Sequence, residues 1–147
     1  MAERALPRGY SLAVDFGLRR IGVAGGQATT CTASSLETVR NGQSPDWAAV
    51  DRLVREWQPK LLLVGLPLGP DGEETDMSRA ARRFGATLHD RYALPVEFAD
   101  ERLSSRAAES RFAELRASGG LRRKHADQLD AISAQIILEN WLQSAYG

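Results

Sequence analysis

The chain has 147 residues, 19 basic and 19 acidic side chains, and a formal net charge of zero. This length suits one domain over residues 1–147 with a substantial core, and the balanced charge provides no global field that would attract nucleic acid. A single cysteine excludes an intramolecular disulfide. The first residues lack a signal peptide's apolar core, and no apolar run approaches the roughly 18 residues of a membrane span. We therefore expect a cytoplasmic protein with no membrane partner.

Short apolar runs separated by turn residues make up the first half of the chain. Residues 12–14 and 21–24 predict a β-hairpin, and residues 34–40 a weaker third strand. Asp46 follows a turn-forming stretch and is placed to cap a helix, whose apolar residues recur at helical spacing: Trp47, Val50, Leu53, Val54 and Trp57. Residues 60–67 are continuously apolar between breakers, which is typical of a buried parallel strand.

The second half predicts alternating helices and strands. The pattern indicates a helix from about residue 76 to 88, a strand at 96–99, a helix capped by Ser104 or Ser105, and a final helix at 126–142. The order of elements predicts an α/β fold. Its mixed five-stranded sheet would have three antiparallel N-terminal strands plus two parallel strands, flanked by helices.

Acidic residues stand where two of the predicted strands end. Asp15 closes the first apolar run, and Asp100 and Glu101 follow the strand at 96–99. A buried carboxylate is costly unless a cation or a hydrogen bond satisfies it. Taken alone, Asp15 before Gly17 is more typical of a turn than of a ligand site.

The final helix carries two further acids on the side that should pack. At about 100° per residue, Asp127 and Asp130 share a stripe with Ala134, Ile137 and Trp141. The solvated side would carry Gln135, Glu139 and Gln143. An acid on a packing face is informative. The alternative is that the carboxylates stabilise the helix N-terminus, which is more plausible for Asp127 than for Asp130.

These acids predict a metal site. Asp15, Asp100, Glu101 and Asp130 would form a cluster of carboxylates, and helix geometry alone adds Asp127 as a further ligand. Hard oxygen ligands without histidine or cysteine select Mg²⁺ or Mn²⁺. Two such ions can activate a water and stabilise the leaving oxygen in phosphodiester cleavage. The chemistry indicated is that of a nuclease.

Arginines accompany the acids. All basic residues except Lys60 and Lys124 are arginines, and the guanidinium group is well suited to phosphate. Those that flank the acids are Arg19, Arg20, Arg102 and Arg106. We expect them either to contact substrate phosphates or to neutralise the acids.

Five sequence stretches, in order along nearly the whole chain, resemble the YqgF/RuvX family. They are VDFGLRRIGVA, PDW, VGLP, DERLSS and DAISAQIILENWL. This family lies within the ribonuclease-H-like superfamily, which also contains RuvC-type Holliday-junction resolvases. The resemblance implies a ribonuclease-H-like fold and a metal-dependent nuclease that matures the 5′ end of pre-16S ribosomal RNA.

The resemblance also implies roles for individual residues. The family's three catalytic acids fall on Asp15, Glu101 and Asp130, with Asp15 bridging both metal ions. Strand alternation does not choose between Asp100 and Glu101, because both faces of the strand are covered. Gln128 stands where several relatives carry a lysine, which puts a role for a lysine there in doubt.

Three functions remain open at this stage. The first is a nuclease acting on structured RNA, such as the precursor ribosomal RNA on the pre-ribosome, as a monomer or homodimer. The second is a resolvase of branched DNA, which favours a homodimer because symmetric cutting needs two sites. The third is a non-catalytic, ribosome-associated module that binds nucleic acid.

Overall fold

The computed structural model describes residues 9–101 and 126–146. The strands are β1 (Tyr10–Phe16), β2 (Arg20–Gln27), β3 (Thr32–Arg40), β4 (Leu61–Leu66) and β5 (Val96–Asp100). The helices are α1 (Trp47–Trp57), α2 (Asp76–Tyr92) and α3 (Ala126–Tyr146). Every element predicted within these ranges is present, whereas the helix predicted after Ser104 or Ser105 lies outside them. No helix in the described ranges is long and apolar enough to cross a membrane.

The five strands form one mixed sheet in the order β3-β2-β1-β4-β5. β1, β2 and β3 pair antiparallel, while β4 lies parallel to β1 and β5 lies parallel to β4. This is the predicted arrangement of three antiparallel and two parallel strands. Because β1, β4 and β5 run in the same direction, their carboxyl ends meet at one edge of the sheet.

Local signals in the sequence fix the start of α1 and α2. The Asp46 side chain accepts a hydrogen bond from the Ala49 amide at 3.3 Å, as its predicted capping role requires. At α2, Thr75 and Ser78 form a reciprocal capping box, in which the Ser78 amide donates to Thr75 Oγ1 at 3.1 Å. Both helices thus begin within a residue of the predicted position.

The two faces of the sheet are packed by residues of different size. On the face under α1 and α2, large strand side chains such as Leu12, Val14 and Ile21 pack against Leu53 of α1 and Phe84 of α2. The face under α3 has small residues on the strands, Ala13 and Ala24, against Ala134 and Leu138 of the helix. Small side chains let a helix approach closely, so α3 lies tight against β1 and β2.

The prediction of which α3 residues face solvent is partly wrong. Gln143 is exposed as expected, but Gln135 and Glu139 are half-buried and Ile136 is buried. The reason is that α3 also packs on β3, at the sheet edge. There, Gln135 Nε2 donates to the Ala33 carbonyl at 3.2 Å and to Glu139 Oε1 at 2.9 Å.

The main chain of α3 lies directly against β2 at Gly22. A Cβ atom added at Gly22 would overlap the main-chain carbonyl of Asp130. We predict that Gly22→Ala lowers the free energy of unfolding by about 1–3 kcal/mol, because overpacking forces the helix away. Gly42→Ala is the matched control, since a Cβ there meets nothing within 4 Å. Urea unfolding of both variants measures the effect, and equal stability would contradict this packing.

Candidate active site

The carboxyl ends of the parallel strands deliver two acids to the same face of the sheet. Asp15 lies near the end of β1, opposite Gly22 of β2, and Glu101 follows β5 directly. By strand alternation, Asp15 shares a face with Ala13, and Glu101 with Ala99. Both alanines belong to the cluster under α3. The two acids therefore lie between the sheet edge and α3.

A glycine on the intervening strand lets the acids meet. β4 separates β1 from β5, and its Gly65 pairs with Ala99. A Cβ added at Gly65 would lie 2.5 Å from Glu101 Oε1 and 2.9 Å from Cδ1 of Ile137 on α3. The Glu101 side chain thus lies over β4 in the space that a side chain at position 65 would otherwise occupy.

Asp15 and Glu101 form a half-buried, hydrogen-bonded carboxyl pair. Burial raises the pKa of Asp15, and the hydrogen bond with Glu101 partly lowers it again. Burial, the hydrogen bond to Asp15, and the charges of Asp15 and Asp100 raise the pKa of Glu101 to about 9. Two carboxyl groups can share a hydrogen bond only if one keeps its proton. At neutral pH, Glu101 therefore keeps its proton and donates a hydrogen bond, which Asp15 accepts.

The third predicted acid is held by an arginine. Asp130 Oδ2 lies 2.9 Å from Arg20 Nε, and its side chain is 29% exposed. Its main chain packs on Gly22, the strand partner of Asp15. Of the two roles predicted for Arg20, the structure shows the neutralisation of an acid.

The three acids do not form a ready-made metal site in this structure. Among the side chains in residues 9–101 and 129–146, no three histidines, cysteines or acids are grouped so as to hold a metal ion. Two predicted catalytic acids, Asp15 and Glu101, are in contact, and the third is paired with Arg20. Like charges repel strongly in a buried site. The retained proton and the ion pair reduce that repulsion.

The remaining predicted site residues differ in how the structure places them. Asp100 is half-buried at the end of β5 and acts on Glu101 through its charge. It is Glu101 that is hydrogen-bonded to Asp15, a choice that strand alternation left open and for which the family resemblance favours Glu101. Arg19 is exposed in the loop after β1. The Asp127 side chain, Arg102 and Arg106 lie outside the described residues.

Two positioning residues were not identified from the sequence. Gly65 appeared only as part of an apolar run, although a glycine within a predicted buried strand signals close approach. The sequence around Asn41 predicts a turn and gives no sign of a positioning role. Asn41 Nδ2 donates to the Gly17 carbonyl at 2.7 Å and the Asn41 amide to the Arg19 carbonyl at 2.9 Å. Asn41 thereby fixes the loop that follows Asp15.

Comparison with known proteins identifies the family. A family model described as RuvX, Holliday junction resolvase, matches residues 9–144. The chain belongs to the RuvX family. It is 46% identical over 134 residues to a protein of Aeromonas hydrophila, covering 90% of this chain and 94% of the relative. It is 44% identical over 141 residues to a protein of Legionella pneumophila, covering 95% and 99%.

Both relatives carry the name "Putative pre-16S rRNA nuclease". The predicted family and the predicted enzyme class, a nuclease, are thereby confirmed for this RuvX chain.

Solved structures confirm the ribonuclease-H-like fold. RuvC of T. thermophilus in complex with a Holliday junction superposes with a TM-score of 0.55 at 17% identity, covering 95% of this chain and 96% of RuvC. The yeast mitochondrial Holliday junction resolvase Ydc2 gives a TM-score of 0.54 at 10% identity, covering 93% and 79%. At these identities the similarity concerns the fold of the RuvX chain.

The carboxyl pair makes stability depend on pH. The folded state holds a proton on Glu101 that the unfolded chain releases at its usual pKa of 4.5. Stability should therefore fall as pH rises from about 4.5 toward 9. Glu101→Gln keeps a donor to Asp15 but cannot ionise. We predict that, in EDTA, the free energy of unfolding of Glu101→Gln rises relative to that of the wild type by at least about 1.4 kcal/mol when the pH is raised from 5 to 9. This difference is the equivalent of one pKa unit.

Urea unfolding at both pH values measures this gain. Asp90→Asn removes an exposed acid from α2 and is the control. A stability difference between Glu101→Gln and the wild type that is the same at pH 5 and pH 9 would contradict a protonated Glu101.

Proposed function

We propose that this protein is a cytoplasmic, Mg²⁺- or Mn²⁺-dependent nuclease that processes the 5′ end of pre-16S ribosomal RNA. The observation that supports the chemistry is the half-buried, hydrogen-bonded Asp15–Glu101 pair at the carboxyl edge of the sheet. The names of the Aeromonas and Legionella relatives support the RNA substrate. The pair lies in a fold shared with a structure that holds nucleic acid.

The residues at this edge suit a hard divalent cation. Asp15 and Glu101 present carboxyl oxygens in contact with each other, and Glu101 Oε1 is buried. Both pKa values are raised, so a nearby cation would favour the charged form of each group. The proposed ligands are Asp15 and Glu101, with Asp130 as the third carboxylate and Asp100 and Asp127 as the neighbouring acids. A bound ion would supply Lewis-acid activation of the phosphodiester and of water.

Two arginines at the start of β2 and just before it would position the substrate. Arg20 lies at the site through its pair with Asp130, and Arg19 is exposed beside it. Guanidinium groups form charge-assisted hydrogen bonds with phosphate as readily as with carboxylate. We propose that Arg19 and Arg20 contact backbone phosphates, which would position the RNA without reading its sequence.

Cleavage of precursor RNA tests the proposal. Purified protein with Mg²⁺ or Mn²⁺ should cut pre-16S RNA, and Asp15→Asn should reduce the rate more than about a hundredfold, since even outer partners of metal ligands cost 10–100-fold. The asparagine is nearly isosteric, so circular dichroism and unfolding should show a folded variant. Asp90→Asn, an exposed change on α2, is the control. Cleavage by Asp15→Asn at the wild-type rate would contradict the assigned site.

A second substrate is supported by the family description, Holliday junction resolvase. The same preparations should therefore be assayed with a four-way DNA junction and with matched linear duplex. Cutting of the junction in preference to pre-16S RNA, lost in Asp15→Asn, would transfer the proposal to branched DNA. Binding of RNA without cleavage of either substrate would instead support the non-catalytic module.

A further inference from the structure

A cavity opens beside the same end of β1 as the candidate active site, on the opposite face of the sheet. Its volume is about 430 Å³, within the usual range for ligand pockets of about 300–1,000 Å³. Phe16 follows Asp15 in the strand, so its side chain lies on the face away from the acids. Phe16 lines this cavity together with residues of α1, α2 and the turn at 41–45.

The cavity has an aromatic wall and an apolar mouth. Phe84 is buried, and its ring centroid lies 4.9 Å from that of Phe16 and 5.7 Å from that of Trp47. Leu18 stands at the mouth with 68% of its surface exposed. A large exposed apolar side chain next to an aromatic wall provides two surfaces for a flat ligand.

Polar groups on the rim are basic or neutral. Arg83 and Thr87 lie one turn apart on the exposed side of α2, and Gln43 faces them from the turn. Of the residues that line the cavity in the described part of the chain, none is acidic. The rim therefore provides a cation, a hydroxyl and an amide above an apolar floor.

Arg83 differs from the other arginines of α2. Arg79 pairs with Asp76, Arg82 with Glu74, and Arg91 with Asp51. Within residues 9–101 and 126–146, Arg83 has no ion-pair partner. A guanidinium group without a carboxylate at the mouth of a cavity is suited to an anionic ligand.

The cavity is preformed and joined to the candidate active site. Asn41, only 7% exposed, binds the carbonyls of Gly17 and Arg19 through its side chain and main chain. These bonds hold the turn at 41–45 against the loop that carries Arg19 and leads into β2 at Arg20. The loop separates the acids on one face from the cavity on the other, so one strand of nucleic acid could contact both.

We propose that this cavity holds an unpaired nucleobase of the RNA, with Arg83 on an adjoining phosphate. A base has an apolar ring for the wall of Phe16, Trp47 and Phe84, and polar edges for Gln43 and Thr87. This inference rests on the proposed function, because it takes RNA as the ligand. The base site would require the RNA substrate to have a single-stranded nucleotide next to the segment that reacts. The acids of the candidate active site do not by themselves require this.

Binding measured without cleavage tests the proposal. In full-length Asp15→Asn protein, fluorescence anisotropy gives the affinity for a short single-stranded RNA and for a blunt RNA duplex of the same length. Gly42→Leu should weaken single-strand binding about tenfold, since base stacking is worth ~1–3 kcal/mol per base, and Arg83→Ala should do the same, since a hydrogen bond to a charged group is worth about 1.5–3 kcal/mol. Both variants should leave duplex binding unchanged. The leucine should be tolerated, because a Cβ at Gly42, which lines the cavity, meets nothing within 4 Å.

The matched control is Arg79→Ala, which removes the same charge one turn earlier on α2 and should not discriminate between the two RNAs. Gly42→Leu keeps every charge, so its effect cannot be electrostatic. Unchanged single-strand binding by Gly42→Leu, or an equal loss on single strand and duplex by Arg83→Ala, would overturn the base site. Neither result depends on cleavage, so a failure here is separate from a failure of the nuclease assay.

Discussion

The hydrogen-bonded carboxyl pair of Asp15 and Glu101 is the interaction on which this site depends. Two acids that are half-buried and in contact repel each other when both are charged, so we expect the pair to hold either a proton or a metal ion. The fold positions the pair through main-chain geometry: β1 and β5 run parallel, and Gly65 of β4 leaves space between them. The same features that bury the acids therefore create the affinity for a cation that we propose.

Close packing of α3 places the main chain of the third acid, Asp130, against the strand partner of Asp15. Ala13 and Ala24 leave a shallow surface under the helix, and Gly22 accepts the main chain of Asp130 directly. Arg20 then neutralises the Asp130 side chain. The acids are positioned in two different ways. The strands of the sheet position the Asp15–Glu101 pair, whereas α3 and Arg20 position Asp130. A change in the Arg20 contact can thus alter Asp130 without disturbing the pair.

Much of this could be predicted from the sequence, because the signals are local. Apolar runs and breakers located the strands, Asp46 marked the start of α1, and acids at strand ends indicated the site. The family resemblance favours Glu101, but strand alternation alone could not choose between Asp100 and Glu101, because the space for the Glu101 side chain depends on Gly65 in another strand. Gln135 was placed on the wrong side because the extent of α3 over β3 is a tertiary property. The aromatic cavity could not be predicted from the sequence, because β1, α1 and α2 each contribute only part of its lining.

The most direct test of the account is the location of Mn²⁺ by anomalous scattering from crystals grown near neutral pH. We predict a peak bonded to carboxyl oxygens of both Asp15 and Glu101, at about the 2.0–2.6 Å typical of hard cations on oxygen ligands. The pair should then no longer be hydrogen-bonded, since the ion replaces the proton. An Mn²⁺ ion bound only elsewhere, with Asp15 and Glu101 still hydrogen-bonded to each other, would contradict the central claim.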